Sequence, residues 1–328
     1  MCTAISRTVD GHYFGRTLDL EYSYKEAVTF TPRRYPLPFR NGKTAAEHYA
    51  ILGIAAEEKS YPLYYDGMNE RGLCMAALHF PDNARYLPPK PGTDNVASFD
   101  VILWILSQCA SVRQARDLLG RMNVTDTPFC EQLPPSPLHW ILADSEQCAV
   151  LEPGESGLAV YENPVGVLTN NPPFPFQLDR LRDYRTLSPD AVPASFQPGI
   201  PMHPCSRGMG GMGLPGDYSS ASRFVRAAFV RTFSASGGDS AEKTVQFFRM
   251  TGAVQIPRGV VRTEQGEEVY TRYTVCYTPE GQCCCSTYEN PGISAFSPAD
   301  FDRDGTALQT VPLCGRWTVS AMKPSAAP

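Results

Sequence analysis

The chain opens on two strand-like segments. Residues 2–9 and 12–17 alternate on either side of Asp10-Gly11, a pair suited to the positive backbone angles of a two-residue hairpin turn. Further short strand patterns lie near 26–31, 49–54 and 73–80. The period then changes. Ser98 is placed to cap an apolar helix, VILWILSQC, and Ser111 to cap a second, in which Val112, Ala115, Leu119 and Met122 share one face. Strand patterns return at 138–143, 148–152, 158–161 and 165–169. Residues 186–217, rich in Pro, Gly and Met, form a long excursion. Helical patterns cover about 221–233 and 240–251, the second capped by Asp239 or Ser240. Strands close the chain near 268–277, 282–288 and 309–319, and the tail MKPSAAP is expected to fray. No internal repeat is present.

Strands first, helices in the middle and strands again imply an α+β protein, with antiparallel sheets packed in layers and helices outside. No composition break divides residues 1–328, which read as one domain. The 328 residues, 42% hydrophobic, supply a large core.

Charge narrows the partners. The net charge is −5 and no basic run exceeds two residues, so nucleic acid is not expected. No stretch of about 18 apolar residues suggests a membrane span. Arg7 and the Asp10-Gly11 turn interrupt the N-terminal segment where a signal peptide needs an apolar run. A reducing bacterial cytoplasm is therefore expected, with the eleven cysteines as free thiols. Cys283, Cys284 and Cys285 are adjacent, and neighbours on a strand point to opposite faces, so small half-buried hydrophobes are the expected reading and a metal site is not. No cofactor is implied.

Cys2 raises a chemical question. Removal of Met1 would leave a residue carrying both a thiol and a free α-amine. An α-amine ordinarily titrates at about 7.7–8, so nucleophile and general base would share one residue. A guanidinium beside a thiol favours the thiolate. If the two N-terminal strands pair around Asp10-Gly11, Arg16 returns beside Cys2, and Asp19 follows closely enough to orient the amine. The same residues also fit an incidental cysteine and a surface ion pair.

Longer motifs extend this reading. MCT, FGRTLDLEY, YYDGMNERGLCMAALHFP, LHWILAD, GVLTNNPPF, GLPGDYSSASRFVRAAF and TYEN occur in this order along nearly the whole chain. In them the sequence resembles the choloylglycine hydrolase family, the bile salt hydrolases and penicillin V acylases among the N-terminal-nucleophile hydrolases. The resemblance implies a four-layer αββα fold and an amidase that cleaves glycine or taurine from conjugated bile acids, its small-molecule substrates. It also implies that Cys2 is the nucleophile, that Arg16, Asp19 and Arg223 are active-site residues, and that the Asn170 amide helps build the oxyanion hole. His79 stands where bile salt hydrolases usually carry Asn and penicillin V acylases Tyr. Its main-chain N–H is implied in the oxyanion hole, while its side chain could contact substrate or serve structure alone. Leu18, Phe129 and Leu133, with Tyr64 and Tyr65, are expected to line an apolar substrate pocket; packing in the core is the other reading of the aromatics. The 186–217 excursion resembles an assembly loop and implies a homotetramer.

Penicillin V or another N-acyl amide is the alternative substrate within the family. A papain-like enzyme would need His139 or His203 to meet Cys109 or Cys205. A non-catalytic metal- or redox-binding protein would use Cys283–Cys285.

Overall fold

The computed structural model describes residues 1–191 and 199–313. The N-terminal hairpin is formed by strand β1 (Cys2–Thr8) and strand β2 (His12–Leu20), paired from Cys2↔Leu18 to Thr8↔His12. The connection has three residues, Val9, Asp10 and Gly11, rather than the expected two, since Thr8 pairs with His12. Asp10 and Gly11 have φ of 50° and 121°, and a Cβ on Gly11 would meet the Pro279 ring at 2.5 Å, so glycine is required there.

The hairpin lies inside a six-stranded sheet. Its order is Val167–Leu168, β1, β2, Tyr270–Tyr277, Cys283–Thr287 and Ser294–Phe296. An eight-stranded sheet runs Gly157–Glu162, Cys148–Gly154, Leu138–Ala143, Cys74–His79, Tyr61–Asn69, Ile51–Glu58, Ala27–Thr31 and Gln309–Pro312. Every pairing in both sheets is antiparallel.

One apolar cluster takes in the space between the sheets, where Ala4, Phe14, Leu18 and Val275 meet Ile54, Leu78 and Ile141, and extends through the smaller sheet to Ile5, Phe224 and Phe247 on its helical side. A second lies on the other face of the larger sheet, where Trp140 and Leu151 pack with Leu103, Trp104 and Leu119 of the helical region. Helices Ser220–Phe233 and Ser240–Gly252 cover the outside of the six-stranded sheet. The layers are helix, sheet, sheet, helix, as the motifs imply.

Local caps act where their chemistry predicts. The Ser111 side chain accepts from the Gln114 N–H, and Asp239 forms a capping box with Glu242. Ser98 does not cap: residues 98–100 form a 3₁₀ turn and the α-helix, Val101–Leu106, begins beyond it. Met122 leaves the second helix for a short strand, Met122–Thr125, parallel to Asp94–Ala97. The Tyr61–Asn69 strand escapes the pattern because Pro62 and Gly67 interrupt it; Pro62 lies one residue in from the strand's start, opposite Glu57. The described part of the excursion is mostly turns, with one 3₁₀ turn at Met209–Gly211. Residues 192–198, the 309–319 segment beyond residue 313 and the tail lie outside the described residues. Among those described, no helix is long and apolar enough to cross a membrane.

Candidate active site

The site grows from the first residue of β1. Cys2 pairs with Leu18 and Ala4 with Arg16, so the period of two puts all four on the face between the sheets. Thr3, Thr17 and Asp19 face the helical layer. Arg16 and Asp19, three positions apart, thus serve opposite faces of one strand.

Arg16 reaches across to the larger sheet, where a bulge receives it. Ala55 pairs with Tyr64 and Ile54 with Asp66, leaving Tyr65 as the extra residue. The Tyr61–Asn69 strand pairs with Cys74–His79 only from Asp66↔Ala76 to Met68↔Cys74, so the two strands part beyond that point. Arg16 Nη1 donates to both carbonyls at the split, Ala77 at 2.7 Å and Tyr65 at 3.2 Å. Its Nε donates to the Thr17 carbonyl at 3.2 Å and lies 3.9 Å from the Asp66 carboxylate. Nη2 has no hydrogen-bond partner among the described residues. Burial works against the charge of this fully buried side chain, but Cys2, Tyr273, Asp66 and Asp19 outweigh it and raise its pKa.

Asp19 is also fully buried. It accepts from Thr271 Oγ1 at 2.6 Å and Thr17 Oγ1 at 3.3 Å, and its main chain bonds Met1 in both directions, at 2.5 and 2.9 Å. The Cys2 N–H donates to Asn170 Oδ1 at 2.9 Å. From the helical layer, Arg223 Nη1 donates to the Cys2 carbonyl at 2.5 Å and to Thr3 Oγ1 at 2.6 Å, while Nη2 donates to Asn170 Oδ1 at 2.8 Å. Arg223 therefore braces the main chain of Cys2 and the amide of Asn170. Burial lowers its pKa, with Asp19 and Cys2 acting the other way.

Asn170 Nδ2 donates to the His79 carbonyl at 2.7 Å, and the Asn170 N–H donates to Ser220 Oγ at 2.8 Å. The Phe80 N–H bonds the Pro137 carbonyl at 2.8 Å, which sets the ladder alternation. Main-chain groups of Leu78 and Phe80 turn toward the Leu138–Ala143 strand; those of Ala77 and His79 turn to the side where the sheet has opened. The His79 side chain is exposed at the strand end, and partial burial followed by the N-terminal ammonium lowers its pKa.

The structure brings Cys2, Arg16, Leu18, Asp19, His79, Asn170 and Arg223 together. Tyr65, half-buried, packs against the inter-sheet core. Tyr64 turns to the opposite face, where its hydroxyl meets Thr31 Oγ1 at 2.8 Å and donates to the Thr29 carbonyl at 3.1 Å; the expectation that it lines the mouth is corrected. Phe129 and Leu133 belong to the second cluster rather than to the core holding Cys2 and Leu18. The Phe129 ring packs near Tyr61 and Phe99 under the Arg40 guanidinium. A cavity of about 820 Å³ opens beside Gly11 and His12, at the turn end of the hairpin, and Cys2 does not line it.

The alternative constellations do not assemble. His139 is buried with Nδ1 3.1 Å from Glu152 Oε1 and Nε2 2.8 Å from the Thr169 carbonyl, so neither nitrogen serves a thiol. Cys109 is buried in the second cluster, while His203 and Cys205 are exposed. Cys283 and Cys285 pair with Phe296 and Ser294 on one side of the sheet and Cys284 turns to the other, so the run has no shared coordination point. Two contributors escape the sequence reading, Asp66 and Thr271, because their partners lie far away along the chain; the one local signal is an acid inside the apolar run YYDGMN.

Comparison with known proteins agrees with this geometry. Residues 2–310 match the model of the linear amide C–N hydrolases, choloylglycine hydrolase family. The chain is 45% identical over 314 residues to the bile salt hydrolase/transferase of Lactiplantibacillus plantarum, covering 95% of this chain and 97% of that one. A crystal structure of a variant of conjugated bile acid hydrolase from Clostridium perfringens superposes with a TM-score of 0.90 at 31% identity, over 98% of this chain and 100% of that one. Penicillin V acylase from Agrobacterium tumefaciens shares the fold, with a TM-score of 0.77 at 17% identity over 96% and 93% of the two chains. This protein therefore belongs to the choloylglycine hydrolase family of linear amide C–N hydrolases.

Proposed function

We propose that the protein hydrolyses the amide bond joining a bile acid to glycine or taurine, with Cys2 as nucleophile after Met1 is removed. The carrying observation is the convergence of Asn170 and Arg223 on the main chain of Cys2, while Arg16, on the same face, leaves its Nη2 amino group without a hydrogen-bond partner among the described residues. The names of the bile-salt-hydrolysing relatives support the substrate class.

In this reading the freed amine of Cys2 takes the thiol proton and Arg16 favours the thiolate. Sulfur attacks the amide carbonyl. One Asn170 Nδ2 hydrogen is held by the His79 carbonyl, which orients the second toward the developing oxyanion, and the His79 N–H supplies a further donor. Collapse breaks the C–N bond, and glycine or taurine leaves with a proton from the ammonium. Water then cleaves the thioester, with the amine again as base. Leu18 backs the thiol, and Tyr65 and His79 border the opening. Release of glycine from glycocholate or taurine from taurocholate tests the reading; turnover of penicillin V but neither conjugate would move the protein to the other substrate class. No release from either, with Cys2 exposed and selectively alkylated, would refute it.

His79 should tune selectivity only. His79→Asn keeps the main-chain donor, so amide hydrolysis persists while the ratio of bile salt to penicillin V turnover shifts roughly ten-fold. Because burial lowers the histidine pKa, the ring is neutral at pH 7 and charges only in acid below its ordinary range. The wild-type ratio should therefore be flat near neutrality and change only toward acid pH, and in the Asn variant it should stay flat throughout. A folded His79→Asn enzyme without hydrolysis would make the imidazole catalytic.

The 1–328 chain is read as one domain, since residues from Cys2 to Cys285 share one inter-sheet core. A homotetramer built through 186–217 is supported by apolar side chains exposed on that excursion, Ile200, Met202 and Met212. Light scattering should give four times the 36.1 kDa chain mass; a monomer at micromolar concentration would exclude it. A cytoplasmic location is supported by cysteines left unpaired among the described residues.

A further inference from the structure

We propose that Asp66 is a positioning residue for the reaction at Cys2: with the phenols of Tyr273 and Tyr277 it sets the direction in which Arg16 presents its free Nη2 to the thiol. The inference rests on the reading of Cys2 as nucleophile.

Asp66 stands on the larger sheet, fully buried, and faces the smaller one. Its Oδ2 accepts from the Tyr273 hydroxyl and its Oδ1 from the Tyr277 hydroxyl, each at 2.5 Å, and Oδ2 lies 3.9 Å from Arg16 Nε. Tyr273 pairs with Leu18, Val275 with Arg16 and Tyr277 with Phe14, so the two phenols flank the position opposite Arg16. Two O–H donors, one on each oxygen, stop the carboxylate from rotating. A buried acid surrounded this completely by donors and a cation is a built feature rather than a chance polar group in an apolar layer.

The guanidinium is planar, so holding two of its nitrogens places the third. The Tyr65 and Ala77 carbonyls take Nη1, and Asp66 with the Thr17 carbonyl takes the Nε side. Nη2 is then fixed without a hydrogen-bond partner among the described residues. Cys2 is the next inward-facing position on β1 beyond Ala4, the residue opposite Arg16. Among the groups that keep Arg16 charged against burial, Cys2 acts most strongly. The titratable groups around the pair are Asp19 of β2, Tyr65 and Asp66 of the bulged strand, Tyr273, Arg223 of the helical layer and His79 at the opening.

Alkylation of Cys2 by iodoacetamide, followed by peptide mass spectrometry on the processed enzyme, reads the nucleophile without substrate and apart from the other thiols. In Asp66→Asn the rate at pH 6 should fall roughly five-fold, with the profile displaced to higher pH, and kcat should fall while KM for glycocholate holds. The sign decides the case. Burial raises the Asp66 pKa, with Arg16 and the two phenols acting the other way. In either charge state, with Arg16 still in place, a neutral amide at position 66 leaves thiolate formation unchanged or eases it, and only a displaced guanidinium slows alkylation. Tyr273→Phe and Tyr277→Phe keep the rings and each should slow alkylation in the same direction by less, which carries the test if Asp66→Asn does not fold. Unchanged or faster alkylation in the folded variants overturns the proposal. If Arg16→Met slows alkylation and these variants do not, the positioning role fails and the nucleophile reading stands. If wild-type Cys2 is not selectively alkylated, that reading fails first.

Discussion

Cys2→Ser should fold like the wild type and lose amide hydrolysis by a factor on the order of 10⁴. The substitution changes one atom at a buried position beside Leu18, so packing is nearly conserved while the nucleophile becomes far harder to ionise. Among the described residues, the hydrogen bonds of residue 2 outside the strand ladder are made by its main chain: its N–H donates to Asn170 and its carbonyl accepts from Arg223. Those contacts survive, so loss of activity with an unchanged thermal midpoint isolates the thiol. The same logic predicts that activity follows the fraction of molecules lacking Met1. While Met1 remains, its amine is bonded to the Asp19 carbonyl, and the nitrogen of Cys2 is an amide with no basic lone pair. Intact-mass spectra should show active preparations one methionine lighter. Fully active protein that retains Met1, or a Cys2→Ser enzyme with near-normal turnover, would end the assignment.

Asn170→Ala should lower kcat by about 10² to 10³, or roughly 3–4 kcal/mol of transition-state stabilisation, with KM little changed. The variant removes the Nδ2 donor and with it the link to the His79 carbonyl that orients it. It also strips Oδ1 from two donors, the Cys2 N–H and Arg223 Nη2. A buried guanidinium that loses an acceptor costs about 1–3 kcal/mol, so thermal stability should fall as well. Asn170→Asp separates the two effects. A carboxylate still accepts from Cys2 and Arg223, but it donates nothing and faces the His79 carbonyl lone pairs. Its stability loss should be smaller than that of the alanine variant and its kcat equally low. A kcat within a few-fold of wild type in both variants would remove Asn170 from the oxyanion hole.

Much of the fold is legible in local pattern. The Asp10-Gly11 hairpin, the strand at 138–143, the capped helices at 112–119 and 240–252 and the alternation along 270–277 depend on neighbours in sequence, and periodicity registers neighbours. Failures occur where the local signal is overruled. Pro62 and Gly67 disguise a strand that tertiary packing accepts, and Met122 continues a helical period but is taken by a parallel pairing with Asp94–Ala97. The side of a sheet on which an aromatic emerges is equally hidden, since the bulge at Tyr65 shifts the register and sends Tyr64 to the far cluster.

For the site, the sequence alone determined the residue types and the family: an N-terminal cysteine, two arginines, an aspartate and an asparagine in ordered motifs. It did not determine that Cys2 and Arg16 share a face: a two-residue turn would set Cys2 opposite Asp19 and Arg16 opposite Ile5, on the other face, whereas three residues, Val9 to Gly11, separate the paired Thr8 and His12 and bring Arg16 to the face of Cys2. Only the tertiary structure decided what each of them touches. Arg223 turned out to brace the Cys2 carbonyl and Asn170, Asp19 to be held by Thr271, and Arg16 to be gripped by carbonyls and an acid of the opposite sheet. Those partners are 53 to 252 residues apart for the side-chain contacts made by Arg223 to Asn170 and by Thr271 to Asp19. No local pattern encodes such separations. They follow from two sheets closing on one core, which brings a bulge, a strand end and a helix to Cys2, the first residue of β1.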